Sequence, residues 1–184
     1  AGTVGIPLPG IEIRIVNEEG NEVKVGQIGT IELKGENIFK GYWGMEEKTK
    51  ESFKDDGFFI TGDLAKKDEN GYFTIVGRDK DMIISGGLNV YPKEIEDVIN
   101  ELPNITESAV FGVQHDDFGE AVVAAVVTTD DKNDGSQILD YTKDKIAKYK
   151  QPKKIIFMSN LPRNSMGKVQ KNKLRENNKS LFKS

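Results

Sequence analysis

One uninterrupted run of seven apolar residues, Ala121 to Val127, constrains the fold of this chain more than any other segment. The run has the length of a buried strand and is much too short to cross a bilayer. A similar apolar stretch, Ser108 to Val113, precedes it. We therefore predict that the second half of the chain is built around buried strands.

Helical periodicity surrounds these strands. Pro92 suits the first turn of a helix, and apolar residues follow at the i, i+3, i+4 and i+7 spacing: Ile95, Val98, Ile99 and Leu102. A second helix is predicted from Ser136, a further strand at Ile155 to Met158, and a last helix from about Val169. This alternation predicts a small α/β domain with a mixed sheet and about three helices.

The residues before Gly77 read instead as short strands and turns. Isoleucines at positions 11, 13 and 15 alternate with charged residues, which is the period of a half-buried strand. Further elements are predicted as strands at Ile28 to Leu33, Asp63 to Lys67 and Tyr72 to Val76, and a short helix at Glu46 to Phe53. We therefore predict an α+β fold with a boundary near residues 77–81.

Charge and composition exclude several classes of function. The 184 residues contain no cysteine, which rules out disulfides, thiolate metal sites and cysteine nucleophiles. The net charge is −4, yet residues 143–184 carry 13 lysines and arginines against two acids. This asymmetry suggests an anion-handling C-terminal part, although a solvated lysine-rich face with a frayed tail is the simpler explanation of the charge alone. Few aromatic residues accompany these lysines, so small phosphorylated ligands fit better than nucleic acid.

Three short motifs are candidates for chemistry. Asp63 follows Thr61 and Gly62 at a predicted turn into a strand, where a carboxylate can accept hydrogen bonds from vicinal hydroxyls. Arg78 can grip ribose or phosphate with its guanidinium fork, and Lys168 follows a glycine in a loop before a helix. Each motif has an ordinary structural explanation, as a turn, an interdomain linker or a solvated lysine. The chain has no Gly-rich phosphate loop of the P-loop type.

Two residue types that often carry function are assigned to structure instead. His115 is the single histidine, and it lies in a polar turn where we expect it to be solvated. Trp43 is expected to pack, together with Phe39 and Tyr42, in a core or against a domain.

The order of the motifs is far more specific than any one of them. The runs FFITGDLAKKDENGYFTIVGRDKDMIISGGLNVYPKEIE and KYKQPKKIIFMSNLPRNSMGKVQKNKLRE resemble the C-terminal portion of acyl-adenylate-forming enzymes, the AMP-dependent ligases that include acyl-CoA synthetases. Within that family, NVYPKEIE and LPRNSMGKVQKNKLRE look most like malonyl-CoA synthetases. The resemblance implies activation of a carboxylate by ATP to an acyl-adenylate, followed by transfer to CoA.

The resemblance also implies roles for single residues. Asp63 matches the aspartate that holds the ATP ribose hydroxyls, and Arg78 matches an arginine that contacts the nucleotide. Lys80 falls at the hinge about which the small domain swings, and Lys168 matches the lysine that enters the site for adenylation.

A CoA site is implied by the same resemblance. Gly86 and Gly87 match a loop that lines the pantetheine tunnel, where side chains would block the approach. Lys150, Lys153 and Lys154 are candidates for the CoA phosphates on charge alone.

The resemblance divides the chain into residues 1–79, the β-rich end of the large AMP-binding domain, and residues 80–184, the mobile domain. The magnesium ligands and acyl pocket are expected upstream, so we expect this chain alone to be inactive. We expect a cytoplasmic enzyme of fatty acid metabolism whose substrates are ATP, CoA and a small carboxylate, with malonate favoured. A medium- or long-chain fatty acid, an amino acid passed to a carrier protein, and a non-catalytic binding module remain alternatives. The full reading frame distinguishes these alternatives. An upstream phosphate loop would support the enzyme, and its absence would support the binding module.

Overall fold

The computed structural model describes residues 2–130 and 134–183, and the chain forms two compact units, Ala1–Lys80 and Asp81–Ser184. The predicted α+β class is confirmed. Within the described ranges, no helix has both the length and the apolar character needed to span a bilayer.

The described residues of the first unit form an antiparallel sheet with one short helix. Its strands run in the order β1-β2-β3-β4, and their bounds are β1 Ile11–Val16, β2 Gly29–Gly35, β3 Phe59–Lys67 and β4 Phe73–Arg78. Helix α1 spans Glu46–Ser52. The alternation of β1 brings Ile15 to one face, where it packs with Ile31, Ala65 and Phe73.

The expected packing of Trp43 in a core is wrong, and its packing against another domain stays a prediction. Phe39 and Tyr42 do lie in an aromatic cluster, where Phe39 makes edge contacts with Tyr42, Phe53 and Phe59 at ring-centroid distances of 4.9–5.6 Å. The side chain of Trp43 is fully exposed. The aromatic cluster therefore does not include the tryptophan.

In the described residues of the second unit, the predicted mixed sheet is present together with three helices. Its strands follow the order β6-β5-β8-β7, and β9 pairs with β8 in parallel. The strand bounds are β5 Ile83–Ser85, β6 Leu88–Val90, β7 Ile105–His115, β8 Gly119–Thr128 and β9 Lys154–Phe157. The helix bounds are α2 Pro92–Ile99, α3 Ser136–Lys143 and α4 Lys171–Asn177.

Strand β8 explains why the apolar run is continuous. Val122 and Val126 face a core that includes Ile95 of α2 and Ile138 of α3. Val123 faces the opposite core, which contains Leu174 of α4. A strand that is covered on both faces needs apolar residues at every position rather than at alternate ones.

The predicted ends of several elements needed correction. The sequence favours an apolar strand from Asp81 to Ser85, but the strand begins at Ile83, because a turn of 3₁₀ helix occupies Asp79–Asp81. The last helix begins at Lys171 rather than near Val169, because Val169 pairs with Arg163 in an isolated β-bridge. The expectation of a solvated His115 was also wrong. Its ring is half-buried between Phe118 and Phe182, at centroid distances of 4.7 and 5.1 Å.

Candidate functional site

Asp63 lies in a β-bulge within β3, not at a turn before a strand as the sequence predicted. The pairing with β2 passes from Ile60 to Leu64, so three residues on β3 oppose Ile31 alone. Gly62 takes up the distortion with φ of +70°, a conformation that favours glycine. Thr61 fixes the bulge, because its Oγ1 donates to the Ile31 carbonyl at 2.8 Å and accepts from the Asp63 N–H at 3.0 Å. Bulges of this kind turn a side chain toward a new direction.

Arg78 lies directly opposite Asp63 on β4. Its Nε is 2.6 Å from Asp63 Oδ1, and both side chains are partly exposed, Arg78 at 49% and Asp63 at 30%. The carboxylate thus has a fixed orientation and keeps contact with solvent. Such a carboxylate can accept hydrogen bonds from a vicinal diol, with a cation beside it.

Lys80 is exposed in the 3₁₀ turn Asp79–Asp81, at the last position of the first unit. The next residue, Asp81, is anchored in the second unit by Arg175, whose Nη2 donates to its Oδ1 at 3.1 Å. Residues that take part in ion pairs therefore flank Lys80 on both sides, since Arg78 is paired to Asp63.

Gly86 and Gly87 form the two-residue turn between β5 and β6. The flanking residues Ser85 and Leu88 are paired, and the glycines have φ of +60° and +77°. Positive φ at both central positions defines a type I′ hairpin turn. A Cβ built on either glycine meets no atom within 4 Å. Within this chain, the glycines are therefore required by backbone conformation, and the space above them is open.

Lys168 is presented by a tight hairpin between β9 and α4. The Gly167 N–H donates to the Asn164 carbonyl at 2.9 Å, and the Asn164 N–H donates to the Lys168 carbonyl at 2.9 Å. Gly167 has φ of +78°, as expected where a type I turn is followed by a left-handed residue. The Lys168 side chain is exposed, and none of the described carboxylates pairs with it. The loop thus offers a lysine whose charge is not neutralised.

The three lysines proposed for CoA phosphates differ in their surroundings. Lys150 is 18% exposed, and its Nζ lies 2.7 Å from both carboxylate oxygens of Glu94. Burial is the largest single influence and disfavours its charge, but Glu94 and Tyr149 together outweigh burial and leave the Lys150 pKa above its ordinary value. Lys153 and Lys154 are exposed. The Lys153 Nζ lies 5.1 Å from the centre of the Phe118 ring.

The structure brings some of these residues together. Asp63 and Arg78 meet in the first unit. In the second unit, the Gly86 N–H donates to the Phe118 carbonyl at 2.8 Å, so the glycine turn and Lys153 both border Phe118. Lys168 lies in a separate loop of that unit.

Sequence reasoning missed residues that hold these groups in place. Thr61 shapes the Asp63 bulge, and Asn164 and Arg163 bond the loop of Lys168. A signal was present for Asn164, because asparagine at the first position and glycine at the fourth favour a type I turn. The contacts of Arg163 join segments far apart in the chain, which local patterns do not reveal.

The described residues contain no group of three acidic or histidine side chains close enough to hold a metal ion. The magnesium ion expected for an ATP-dependent reaction therefore has no ready-made site in this part of the chain, and we assign none of its residues to that ion.

Two family models match this chain. Residues 94–168 match the AMP-binding enzyme C-terminal domain, and residues 1–43 match the AMP-binding enzyme model. The match over residues 1–43 lies wholly in the first unit, and the match over residues 94–168 lies wholly in the second unit.

Similar proteins include several CoA ligases. The indoleacetate–CoA ligase of Aromatoleum aromaticum is 41% identical over 177 residues, which cover 96% of this chain and 34% of the relative. The malonate–CoA ligase of Arabidopsis thaliana is 40% identical over 188 residues, covering 96% of this chain and 30% of the relative. The chain thus spans about a third of the length of these relatives.

A solved structure agrees with this similarity. ATP-bound MatB from Rhodopseudomonas palustris is 56% identical and superposes with a TM-score of 0.93, covering 99% of this chain and 37% of that protein. The o-succinylbenzoate–CoA synthetase of Bacillus subtilis, in complex with its acyl-adenylate, gives 36% identity and a TM-score of 0.89, covering 95% of this chain and 35% of that protein.

Proposed function

Because this chain belongs to the AMP-binding, acyl-adenylate-forming enzyme family, we propose that it is part of an ATP-dependent acid–CoA ligase. In the first half-reaction, a carboxylate oxygen attacks the α-phosphorus of ATP and releases pyrophosphate. In the second, the CoA thiol attacks the acyl carbon and AMP leaves. The observation that carries the proposal is the exposed, uncompensated Lys168 on its glycine hairpin.

Lys168 acts in the first half-reaction in this proposal. Negative charge accumulates around the α-phosphate as the carboxylate attacks, and a positioned ammonium group stabilises it electrostatically. A lysine already paired to a carboxylate would lose much of this effect. Its exposure on a narrow hairpin suits a group that must reach a ligand bound to another part of the enzyme.

Asp63 and Arg78 hold the nucleotide in this proposal. The Asp63 carboxylate accepts hydrogen bonds from the ribose hydroxyls, and Arg78 fixes its orientation while adding a positive charge nearby. The bulge at Gly62 supports this role, because it aims Asp63 while leaving β3 paired on both sides.

The second unit provides the CoA side of the reaction in this proposal. It moves as a mobile domain about Lys80, which lies in an exposed turn between two anchored residues. The Gly86–Gly87 turn then borders the pantetheine arm, and Lys153 and Lys154 attract the CoA phosphates. Lys150 contributes less than the sequence suggested, because Glu94 already neutralises it.

Malonate is the substrate we propose. The malonate–CoA ligase of Arabidopsis thaliana supports this choice, while a long-chain-fatty-acid–CoA ligase of Yersinia pestis, 38% identical, supports a fatty acid as the second candidate. A cytoplasmic location is part of the same proposal, and a chain without cysteine suits a reducing compartment.

The test is pyrophosphate release by the full gene product that contains this chain, with ATP, magnesium and CoA. Malonate and octanoate are compared at equal concentrations. Release that requires malonate supports the full proposal, and release with octanoate alone keeps the reaction but overturns the substrate. If neither these acids nor an amino acid panel supports release, the ligase proposal is rejected in favour of a binding module.

A further inference from the structure

The loop that carries Lys168 is held by hydrogen bonds rather than by burial. Residues 165–168 are all exposed, and the side chain of Met166, at the tip, is 73% exposed. The bonds that close the hairpin involve the backbone and side chain of Asn164. The position of Lys168 therefore depends on a small number of polar contacts.

The peptide unit between Gly167 and Lys168 is fixed at both of its polar atoms. Its carbonyl oxygen accepts a hydrogen bond from Arg163 Nη1 at 2.7 Å. Its N–H donates to Asn164 Oδ1 at 2.9 Å. A peptide unit is planar, so fixing both atoms fixes the direction in which the chain enters the next Cα. Together, these contacts determine where the Lys168 side chain begins.

Arg163 also connects this peptide unit to the central sheet. Its second terminal nitrogen, Nη2, donates to Glu107 Oε2 on β7. Glu107 is paired with Val127 of β8, so it belongs to the antiparallel pair of long strands in the sheet of the second unit. The planar guanidinium makes both bonds in one fixed geometry, which a lysine at this position could not do.

We propose that Arg163 is a positioning residue for adenylation, which places Lys168 by bridging Glu107 and the Gly167 carbonyl. This inference rests on the proposed function, because it requires Lys168 to act in the first half-reaction. The side chains of Arg163 and Glu107 are 44% and 28% exposed. An ion pair that exposed adds little to global stability. Its contribution therefore lies in the geometry of the loop.

The test uses Arg163→Ala, Arg163→Lys and Glu107→Gln in the full gene product. Glu101→Gln is the matched control, because Glu101 also binds a cation, Lys145, at an exposed site away from the loop. The rate of acyl-adenylate formation is measured separately from thioester formation with supplied acyl-adenylate. Amide hydrogen exchange of residues 164–168 is measured in parallel on the same variants.

We expect Arg163→Ala to lower the rate constant of adenylation about 10- to 100-fold, because a displacement of about 1 Å has effects of that size. The KM for ATP and the thioester half-reaction should change little. The adenylation rate should fall less in Arg163→Lys than in Arg163→Ala. It should fall least in Glu107→Gln, because the amide oxygen of the glutamine still accepts a hydrogen bond from Arg163. Amide exchange in the loop should accelerate in Arg163→Ala and remain normal in Glu101→Gln.

Two outcomes would overturn the positioning role. Unchanged loop exchange in Arg163→Ala would show that Arg163 does not hold the loop, whatever the activity. Faster exchange with an unchanged adenylation rate would show that the bridge does not matter for Lys168. A wild-type protein without any adenylation would instead contradict the proposed function, and the exchange measurement would still report on the bridge.

Discussion

Arg78 lies directly opposite Asp63 on the antiparallel strands β3 and β4, with its Nε 2.6 Å from Asp63 Oδ1. Both strands are irregular at this point. The bulge of Thr61, Gly62 and Asp63 interrupts the pairing of β3 with β2, and a further shift between Leu64 and Ala65 interrupts its pairing with β4. The ion pair therefore lies where two distortions of the sheet coincide, a feature frequent beside binding sites.

Asp63→Asn tests the assignment of this pair to the nucleotide. Losing the charged acceptor should raise the KM for ATP about 10- to 100-fold, because a hydrogen bond to a charged group contributes about 1.5–3 kcal/mol. The KM for CoA should stay the same. Steady-state kinetics of the full gene product provide the measurement, with Asp55→Asn as control, since Asp55 is an exposed aspartate of the same unit. Equal KM effects in the two variants would remove Asp63 from the nucleotide site.

The exposed residues Lys153 and Lys154 allow a test of the CoA phosphate site. Exposed charge contacts contribute about 0.2–1 kcal/mol each. We therefore expect the double variant Lys153→Ala, Lys154→Ala to raise the KM for CoA about 2- to 20-fold at low salt. Lys150→Ala also removes a lysine charge, but Glu94 already neutralises that charge. Its effect on the KM for CoA should therefore be smaller than that of the double variant. A larger effect of Lys150→Ala would mean that CoA displaces Glu94.

The Lys150–Glu94 pair also predicts a pH dependence of stability. The pKa of Lys150 is raised above 10.5 in the folded chain, so the pair stabilises fully below about pH 10.5. That stabilisation is lost as the pH rises through the raised pKa, where folded Lys150 releases its proton. Lys150→Met should therefore lower the free energy of unfolding at pH 8 and lower it less at pH 11.5. Urea denaturation at both values measures this, and an equal difference at both would contradict it.

Substitutions of Gly87 can show whether glycine is needed there for its positive φ or for the space that a side chain would fill. Gly87→Ala places a Cβ in open space but at φ of +77°, which costs about 1–2 kcal/mol for an L-residue. Gly87→Asn should cost less stability, because asparagine tolerates this conformation. If the pantetheine arm passes close to the turn, both variants should still slow thioester formation while adenylation remains normal. Should Gly87→Asn leave thioester formation intact, a tunnel at this turn would be ruled out.

Several elements of this fold could be predicted because local periodicity dictates them. The apolar run of β8 and the spacing of Ile95, Val98 and Ile99 in α2 directly identify a buried strand and an amphipathic helix. The short strand β6 was missed, because Leu88 and Asn89 are exposed and only Val90 is buried. Such a strand exists because the glycine turn folds it back onto β5, which no periodicity reveals.

In the candidate site, too, local sequence motifs are informative, whereas contacts between residues distant in the chain are not predicted. The order of motifs in the sequence makes Asp63, Arg78 and Lys168 candidates for the site. The pairing of Lys150 with Glu94 and the bridge of Arg163 to Glu107 could not be predicted, because 56 residues separate the partners in each case. The structure supplies these long-range contacts, and they decide which lysines retain an uncompensated charge.

Separating the two half-reactions in Lys168→Ala is the most direct test of the account. The full gene product should lose adenylation about 10²- to 10³-fold, as expected for a single preorganised donor, while thioester formation from supplied acyl-adenylate continues. Lys173→Ala, an exposed lysine on α4, is the matched control and should leave both rates unchanged. Equal loss of both half-reactions in Lys168→Ala, or loss of neither, would contradict the central claim that Lys168 acts in forming the acyl-adenylate.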